Sequence, residues 1–217
     1  MRCFWLEKDI FEEVIFGMWQ KMDIHNVSNE PILAAGFFPE HYMINGNTAD
    51  KYDRVDLKRF GFKFINGDRL PGGATFCCKD NLFVGGYANS RVEAEEIILK
   101  VWKVLIKNLE NREIPVERSG NDLLVNGRKI CGATVGENDQ NKWMFGFYVN
   151  LYVYNKIIRK IANESHYEAA GLSEFGITQE DIKSWLEESF DFTNINKLSI
   201  IKIAQVFKEF QKTKGLN

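Results

Sequence analysis

Residues Gly120 to Thr134 read GNDLLVNGRKICGAT and carry a complete β-hairpin signal. The Asn126-Gly127 dipeptide lies between two apolar runs and accepts the positive φ angles of a two-residue type I′ turn, whose twist matches that of the flanking strands. We therefore expect paired strands over Leu123 to Val125 and Arg128 to Ala133.

Lys129 is a charged residue of this hairpin with small neighbours. Because side chains alternate between the two faces of a strand, Lys129 is predicted to share a face with Cys131 and Ala133 and to point away from Arg128. Small neighbours leave room for a ligand beside the ammonium group. Two interpretations remain open, a ligand-binding cation and a solvated strand lysine, since Lys is rarely buried without a partner.

Composition and charge restrict the class of protein. The chain has 217 residues, 45% of them apolar, four prolines and a formal net charge of -2, which indicates a globular protein with a sizeable core. Acidic and basic residues are mixed along the chain, so we expect neither a nucleic-acid partner nor a membrane partner. No apolar run approaches the ~18 residues of a membrane span, and charged residues at positions 7 to 9 interrupt any signal sequence. We expect a soluble cytoplasmic protein.

The cysteines and histidines match no metal-site spacing. Four cysteines are too few for the disulfide framework of a small secreted protein and lack the C-x-x-C pattern of zinc sites. The three histidines are far apart and lie in polar stretches. The residues concerned are Cys3, Cys77, Cys78, Cys131, His25, His41 and His166. The sequence therefore predicts reduced thiols and assigns no metal ligand with certainty.

Apolar periodicity predicts an α+β protein with one sheet-centred domain over residues 1–217. Helices are expected at Leu6 to Met22, Asp53 to Phe60, Ser90 to Leu109, Lys156 to Asn163, Ile177 to Phe190 and Asn196 to Phe210. Besides the hairpin, strands are expected at Pro31 to Phe37, Tyr42 to Ile44, Phe62 to Ile65, Ile114 to Glu117 and Trp143 to Asn150.

The two best-defined helices have clear start signals. Ser90 is an N-cap residue followed three positions later by Glu93, and Thr178 is followed in the same way by Asp181. The predicted buried face of the helix after Ser90 comprises Val92, Ile97, Ile98, Val101, Trp102, Leu105 and Leu109. We interpret this helix as scaffold.

A second informative stretch, Asp68 to Phe83, begins with an arginine and a Pro-Gly-Gly turn. Gly72 and Gly73 carry no Cβ, so backbone there can approach a ligand closely, and Arg69 can bind a carboxylate or phosphate through two parallel hydrogen bonds. The alternative is an ordinary turn beside a surface arginine.

Together the two stretches resemble a known family. RLPGGATFC at Arg69 to Cys77 is similar to the pattern R-x-x-G-G-A-x-x-H, and NDLLVNGRKICGA at Asn121 to Ala133 is similar to N-D-L-hydrophobic-x-G-R-K-hydrophobic-S-G-S/A. These patterns belong to the catalytic domain of lipoate-protein ligases, biotin-protein ligases and octanoyl transferases, and the resemblance is strongest to lipoate-protein ligase A. It spans roughly residues 6 to 185.

The resemblance implies a class II synthetase-like sheet enclosing an acyl pocket. It further implies that ATP, with Mg²⁺, activates lipoate or a related carboxylate to an acyl-adenylate, which is passed to a lysine of an acceptor protein. Lys129 takes the place of the family's catalytic lysine. The residues implied to bind the acyl or adenylate groups are Arg69, Gly72, Gly73, Ala74, Asn121, Asp122, Gly132 and Ala133.

Differences from the family pattern leave two alternatives. Cys77 stands where the family has histidine, Cys131 where it has serine and Phe147 where it has threonine. One alternative is acyl transfer without ATP through a thioester on Cys131 or Cys77, since a nearby ammonium favours a thiolate. The other is a module that binds a ligand or partner without turnover. Many lipoate ligases carry a separate C-terminal accessory domain, which we do not expect in this chain. We therefore expect that an accessory protein is needed for adenylation.

Overall fold

The computed structural model describes residues 1–11, 30–45, 58–66, 75–137, 143–154 and 168–195. In these ranges two α-helices are complete, α1 at Arg91–Glu110 and α2 at Gln179–Glu187, and a short 3₁₀ helix covers Leu172–Phe175. The strands are β1 Arg2–Leu6, β2 Ile32–Phe37, β3 His41–Asn45, β4 Phe62–Asn66, β5 Thr75–Cys77, β6 Leu82–Ala88, β7 Glu117–Ser119, β8 Asp122–Val125, β9 Arg128–Glu137, β10 Trp143–Val149 and β11 Phe192–Ile195.

The strands of the described residues form two mixed sheets. The larger has eight strands in the order β11-β1-β2-β6-β10-β9-β8-β7, and the smaller has the order β4-β3-β5. In the larger sheet, β1 is parallel to both of its neighbours, whereas all the other neighbouring strands of that sheet are antiparallel to each other. This arrangement confirms the predicted α+β class.

Helix α1 covers one face of the larger sheet. Ser90 accepts a hydrogen bond from the Glu93 N–H at 3.1 Å, which confirms the predicted N-cap and satisfies one of the free N–H groups of the first turn. All predicted members of its buried face are buried except Val92, which is 65% exposed. The prediction for Val92 was wrong because Val92 lies above Glu95 and Glu96, on the exposed side of the helix.

The two faces of the larger sheet support separate apolar clusters. On the face that we call the helix face, Cys131, Phe145 and Phe147 pack with residues of α1 and α2. Alternate residues of the same strands point to the opposite face, which we call the second face. There Met144 and Tyr148 contact a cluster that includes residues of the smaller sheet.

Most predicted elements are confirmed, and three predictions need correction. Leu6 ends strand β1 and is not helical, so the predicted first helix begins too early; β1, β6 and β11 were missed. The strand predicted at Ile114 to Glu117 instead covers Glu117–Ser119. The helices expected over Lys156 to Asn163 and Asn196 to Phe210, and most of those over Leu6 to Met22 and Asp53 to Phe60, lie outside the described residues. No helix in the described residues is long and apolar enough to cross a membrane.

Candidate active site

The hairpin formed by β8 and β9 positions the candidate catalytic lysine. Asn126 and Gly127 have φ angles of 51° and 71°, as a type I′ turn requires. Val125 pairs with Arg128 across the turn. The hairpin and its turn are therefore confirmed.

An irregularity in this hairpin changes the face to which Lys129 points. The register shifts between Leu123, which pairs with Cys131, and Leu124, which pairs with Lys129. Ile130 is therefore an extra residue on β9, and both Ile130 and Cys131 are buried. A bulge of this kind reverses the alternation of side chains. The prediction that Lys129 shares a face with Cys131 and Ala133 was wrong.

Lys129 forms an ion pair with Asp122 over the backbone of Gly132. The Lys129 Nζ atom lies 2.8 Å from Asp122 Oδ1, and the two side chains are 24% and 23% exposed. A Cβ atom at Gly132 would lie 2.5 Å from both Cε and Nζ of Lys129 and 2.8 Å from Asp122 Oδ1. Because Gly132 has no side chain, the charged pair can lie flat on the second face while remaining accessible to solvent.

A row of directly paired residues continues from this ion pair across the sheet. Asp122 pairs with Gly132, and Gly132 pairs with Tyr148. The Tyr148 hydroxyl forms a hydrogen bond with the Thr75 side chain, and burial raises its pKa. Tyr148 therefore stays protonated and can act as a hydrogen-bond donor. Tyr148 was not among the predicted site residues, although its position in the strand predicted from Trp143 to Asn150 is the sequence signal that could have identified it.

The other predicted binding residues have different positions. The Asn121 carbonyl accepts a hydrogen bond from the Ala133 N–H at 2.8 Å, so its backbone closes the hairpin beside Asp122. Ala133 packs against the helix-face cluster, on the opposite side from Lys129. Arg69, Gly72, Gly73 and Ala74 lie outside the described residues; Thr75, the next residue along the chain, is in contact with Tyr148 on the second face.

Both candidate thiols are buried. Cys77 and Cys131 are 0% exposed, and burial raises the pKa of each thiol well above its ordinary value. For Cys131, the neighbouring Trp102 and Lys129 offset only part of this effect. Each thiol is therefore protonated at neutral pH, whereas nucleophilic catalysis requires a thiolate.

The carboxylates around the hairpin do not form a metal cage. In the part of the chain that the structure describes, no group of three His, Cys, Asp or Glu side chains could hold a metal ion. Asp122 is the carboxylate next to Lys129. One carboxylate together with substrate phosphates is a common way to hold Mg²⁺, which keeps several water ligands.

The sheet order, the helices on one face and the hairpin together define the fold of the lipoate- and biotin-protein ligase catalytic domain, as comparison with solved structures shows. Neither a family model nor a curated protein sequence matches the chain.

Three solved structures with this fold cover nearly the whole chain. P. falciparum LipL1 in complex with lipoate has a TM-score of 0.67 and 17% identity, and the match covers 90% of this chain and 66% of that one. Lipoate-protein ligase A bound with ATP has a TM-score of 0.66 and 12% identity, with 95% and 94% covered. A bi-partite lipoate protein ligase from Thermoplasma acidophilum, described with its E2 lipoyl domain, has a TM-score of 0.61 and 15% identity, with 96% and 92% covered.

Proposed function

We propose that this protein is a lipoate-protein-ligase-like enzyme that activates a small acyl carboxylate with ATP and transfers the acyl group to a lysine of an acceptor protein. The observation that carries the proposal is the Lys129–Asp122 pair over Gly132. The proposal is further supported by the sequence, because Lys129 is the residue that matches the catalytic lysine in the family pattern.

The first step of this reaction needs a cation such as Lys129. An oxygen of the acyl carboxylate attacks the α-phosphorus of ATP, and the bond to the leaving pyrophosphate breaks. Two anionic groups must approach each other, so a fixed positive charge stabilises the transition state. Lys129 has three N–H donors, of which Asp122 occupies one in this structure. The other donors remain for the carboxylate and the phosphate.

The second step forms the amide. The neutral amine of the acceptor lysine attacks the acyl carbonyl carbon, AMP leaves with the electron pair of the broken bond, and the amine loses a proton. Lys129 again lies where it can offset the charge that builds on the oxygens. Asp122 would hold Mg²⁺ if the ion enters with ATP, and the ion would supply further charge neutralisation.

The acceptor and an accessory partner are part of the proposal. One similar structure is described as a bi-partite ligase with its E2 lipoyl domain, which supports an acceptor of the lipoyl-domain type and a second protein that assists adenylation. The thioester alternative is less well supported because Cys77 and Cys131 are both 0% exposed.

The proposal is tested by pyrophosphate exchange. Purified protein is incubated with ATP, Mg²⁺, labelled pyrophosphate and one of lipoate, octanoate or biotin, with label in ATP as the readout. We expect exchange with at least one carboxylate, and a loss of roughly 100-fold or more in Lys129→Ala, the size typical for removal of one charge-stabilising group. Lys103→Ala is the matched control, since Lys103 is exposed on α1.

Transfer is measured separately so that each step can fail alone. Chemically prepared lipoyl-adenylate is supplied with a lipoyl domain, and the added mass is measured. Transfer without exchange indicates that adenylation needs the second protein. Exchange that is equal in wild type and Lys129→Ala would contradict the role of Lys129, and ligand binding without exchange or transfer would support the binding-module alternative.

A further inference from the structure

Two asparagine side chains are buried beside the strand that carries Lys129. Asn81 is 1% exposed and Asn150 is 5% exposed, and they are the buried polar side chains of the described residues. Burial of an amide group is costly unless its hydrogen bonds are made. Their positions therefore require explanation, and neither was singled out in the sequence.

Asn81 organises the chain that follows β10. Its Oδ1 atom accepts hydrogen bonds from the N–H groups of Leu151 and Tyr152 at 2.9 and 2.8 Å. Its Nδ2 atom donates to Asn150 Oδ1 at 3.4 Å. With these three contacts Asn81 fixes both the backbone turn after β10 and the orientation of the Asn150 amide.

Asn150 contacts the backbone of Lys129. Its Nδ2 atom donates to the Lys129 carbonyl at 3.2 Å, and its own N–H donates to the Ile130 carbonyl at 2.7 Å. The fixed amide orientation matters here, because only the NH₂ group can donate to a carbonyl.

Lys129 needs these contacts because it lies beyond the regular ladder between β9 and β10. The last paired residues of that ladder are Cys131 and Val149. On this side of the hairpin, the Lys129 N–H donates to the Glu168 carbonyl at 3.0 Å, and the Lys129 carbonyl accepts from the Ala170 N–H at 2.9 Å. Residues 168–170 thus take the place of the missing strand neighbour, and Asn150 supplies a second donor to the Lys129 carbonyl next to the bulge at Ile130.

We propose that Asn150, oriented by Asn81, is a positioning residue for Lys129. The inference rests on the proposed function, in which Lys129 stabilises charge that develops during adenylation. Asn150 does not touch substrate. It holds the bulged backbone so that the Lys129 ammonium lies over Gly132, and a displacement of about 1 Å at such a group lowers turnover by ~100-fold.

Two variants remove the contact while keeping the shape of the side chain. Asn150→Asp keeps Oδ1 for Asn81 but loses the NH₂ donor to Lys129. Asn81→Asp keeps the acceptor for Leu151 and Tyr152 but draws the Asn150 NH₂ group toward itself. Rotation of the Asn150 amide then leaves the Lys129 carbonyl with the Ala170 N–H as its donor and without the side-chain donor. Ile182→Ala, on the buried face of α2 and 0% exposed, is the control for general loss of stability.

The lysines are labelled with ¹³C-methyl groups, and the Lys129 signal is identified by its absence in Lys129→Arg. We expect the Lys129 signal to shift in both asparagine variants and to stay in place in Ile182→Ala. In pyrophosphate exchange, measured below the melting temperature of every variant, we expect kcat to fall 10- to 100-fold with KM for the carboxylate changed less than threefold, because the lost interaction acts in the transition state.

The outcomes separate this inference from the proposed function. An unchanged Lys129 signal in both asparagine variants overturns the inference, as does an equal fall in kcat in Ile182→Ala. A shifted signal with unchanged kcat overturns the link to the reaction. If the wild type shows neither exchange with any carboxylate nor transfer from lipoyl-adenylate, the proposed function fails, while the Lys129 signal still decides whether Asn150 positions the lysine.

Discussion

Gly132 is the residue that allows Lys129 and Asp122 to meet. Its backbone has no positive φ angle, so alanine is conformationally acceptable there. A Cβ at this position would, however, lie only 2.5 Å from Lys129 Cε and Nζ and would displace both atoms. We expect Gly132→Ala to fold, with a change in the free energy of unfolding of about 1 kcal/mol or less, and to lose most of the pyrophosphate exchange. Exchange and urea unfolding are measured on the same preparation.

The atoms that the new methyl group of Gly132→Ala would contact are side-chain atoms of Lys129 and Asp122, and this determines which interaction is lost. The end of a lysine side chain can move, whereas backbone cannot, so the added methyl group is accommodated by loss of the ion pair. A Gly132→Ala protein that unfolds in the absence of denaturant would contradict this account, and so would one with the exchange rate of wild type.

Cys131 provides a test of the thioester alternative at the same scale. It is 0% exposed and lies in the helix-face cluster, so we expect iodoacetamide to leave it unmodified in the native protein and to modify it in urea, as peptide mass spectrometry would show. Cys131→Ala should keep its exchange activity and lose about 1 to 2 kcal/mol of stability from the smaller core side chain. Rapid native alkylation, with acyl transfer abolished by Cys131→Ala, would restore the thioester route.

At the residue scale, the sequence predicted Lys129 as a candidate site residue but not the face of the sheet to which its side chain points. The patterns around Lys129 and Asp122 could be recognised because residue types and spacing are local properties. The bulge at Ile130 could not, because a single extra residue on one strand is determined by pairing with the other strand and with residues 168–170. Asn81 and Asn150 were missed for a similar reason: their burial results from contacts between distant parts of the chain.

Among the elements, the β8–β9 hairpin depends on the conformation of its two turn residues. Gly127 has φ 71°, and nothing lies within 4 Å of a Cβ built there. Gly127→Ala therefore tests backbone strain alone, and we expect a loss of about 1 to 2 kcal/mol. Asn126→Gly is the matched control, because glycine adopts the φ of 51° found at Asn126 without strain. Guanidinium unfolding measures both.

Equal free energies of unfolding in Gly127→Ala and Asn126→Gly would contradict this prediction. That result would mean that the hairpin tolerates another turn type, and the position of Lys129 would then depend on the contacts of residues 168–170 and of Asn150.

Elements with local signals were predictable, and elements defined by distant partners were not. Helix α1 has an N-cap and an apolar stripe, α2 has the Thr178 cap, and the hairpin has Asn-Gly; all three were confirmed. Strand β1 lies between β2 and β11 and has no turn signal beside it. Its last residue, Leu6, was assigned to the helix predicted from Leu6 to Met22, since short apolar runs suit either structure.

On the scale of the whole molecule, an ion pair joins the end of α1 to the start of α2. The Arg112 Nη2 atom lies 2.6 Å from Asp181 Oδ1, and Thr178 donates its N–H to Asp181 Oδ2 at 2.9 Å. The Arg112 guanidinium and then the Thr178 N–H lower the pKa of Asp181 to about 2. An unfolded aspartate has a pKa near ~3.9, so the folded state favours the charged form.

Acid should therefore weaken the molecule through Asp181. A lowered folded pKa stabilises the protein above the unfolded pKa, and this contribution is lost as pH falls through the folded value. We expect wild type to be more stable than Asp181→Asn at pH 6, with the difference shrinking between about pH 4 and pH 2. Urea unfolding across this pH range measures the effect; a difference that is constant with pH would contradict it.

The pairing of β1 with β11 also has a consequence for synthesis on the ribosome. Cys3 pairs with Phe192 and Leu6 with Ile195, so β1 obtains one of its two neighbours only after almost all the described residues have been translated. Until then β1 is an open sheet edge able to pair with other chains. Nascent protein arrested before residue 192 should therefore need a chaperone to avoid aggregation, whereas a chain that includes residues 192–195 covers this edge with β11.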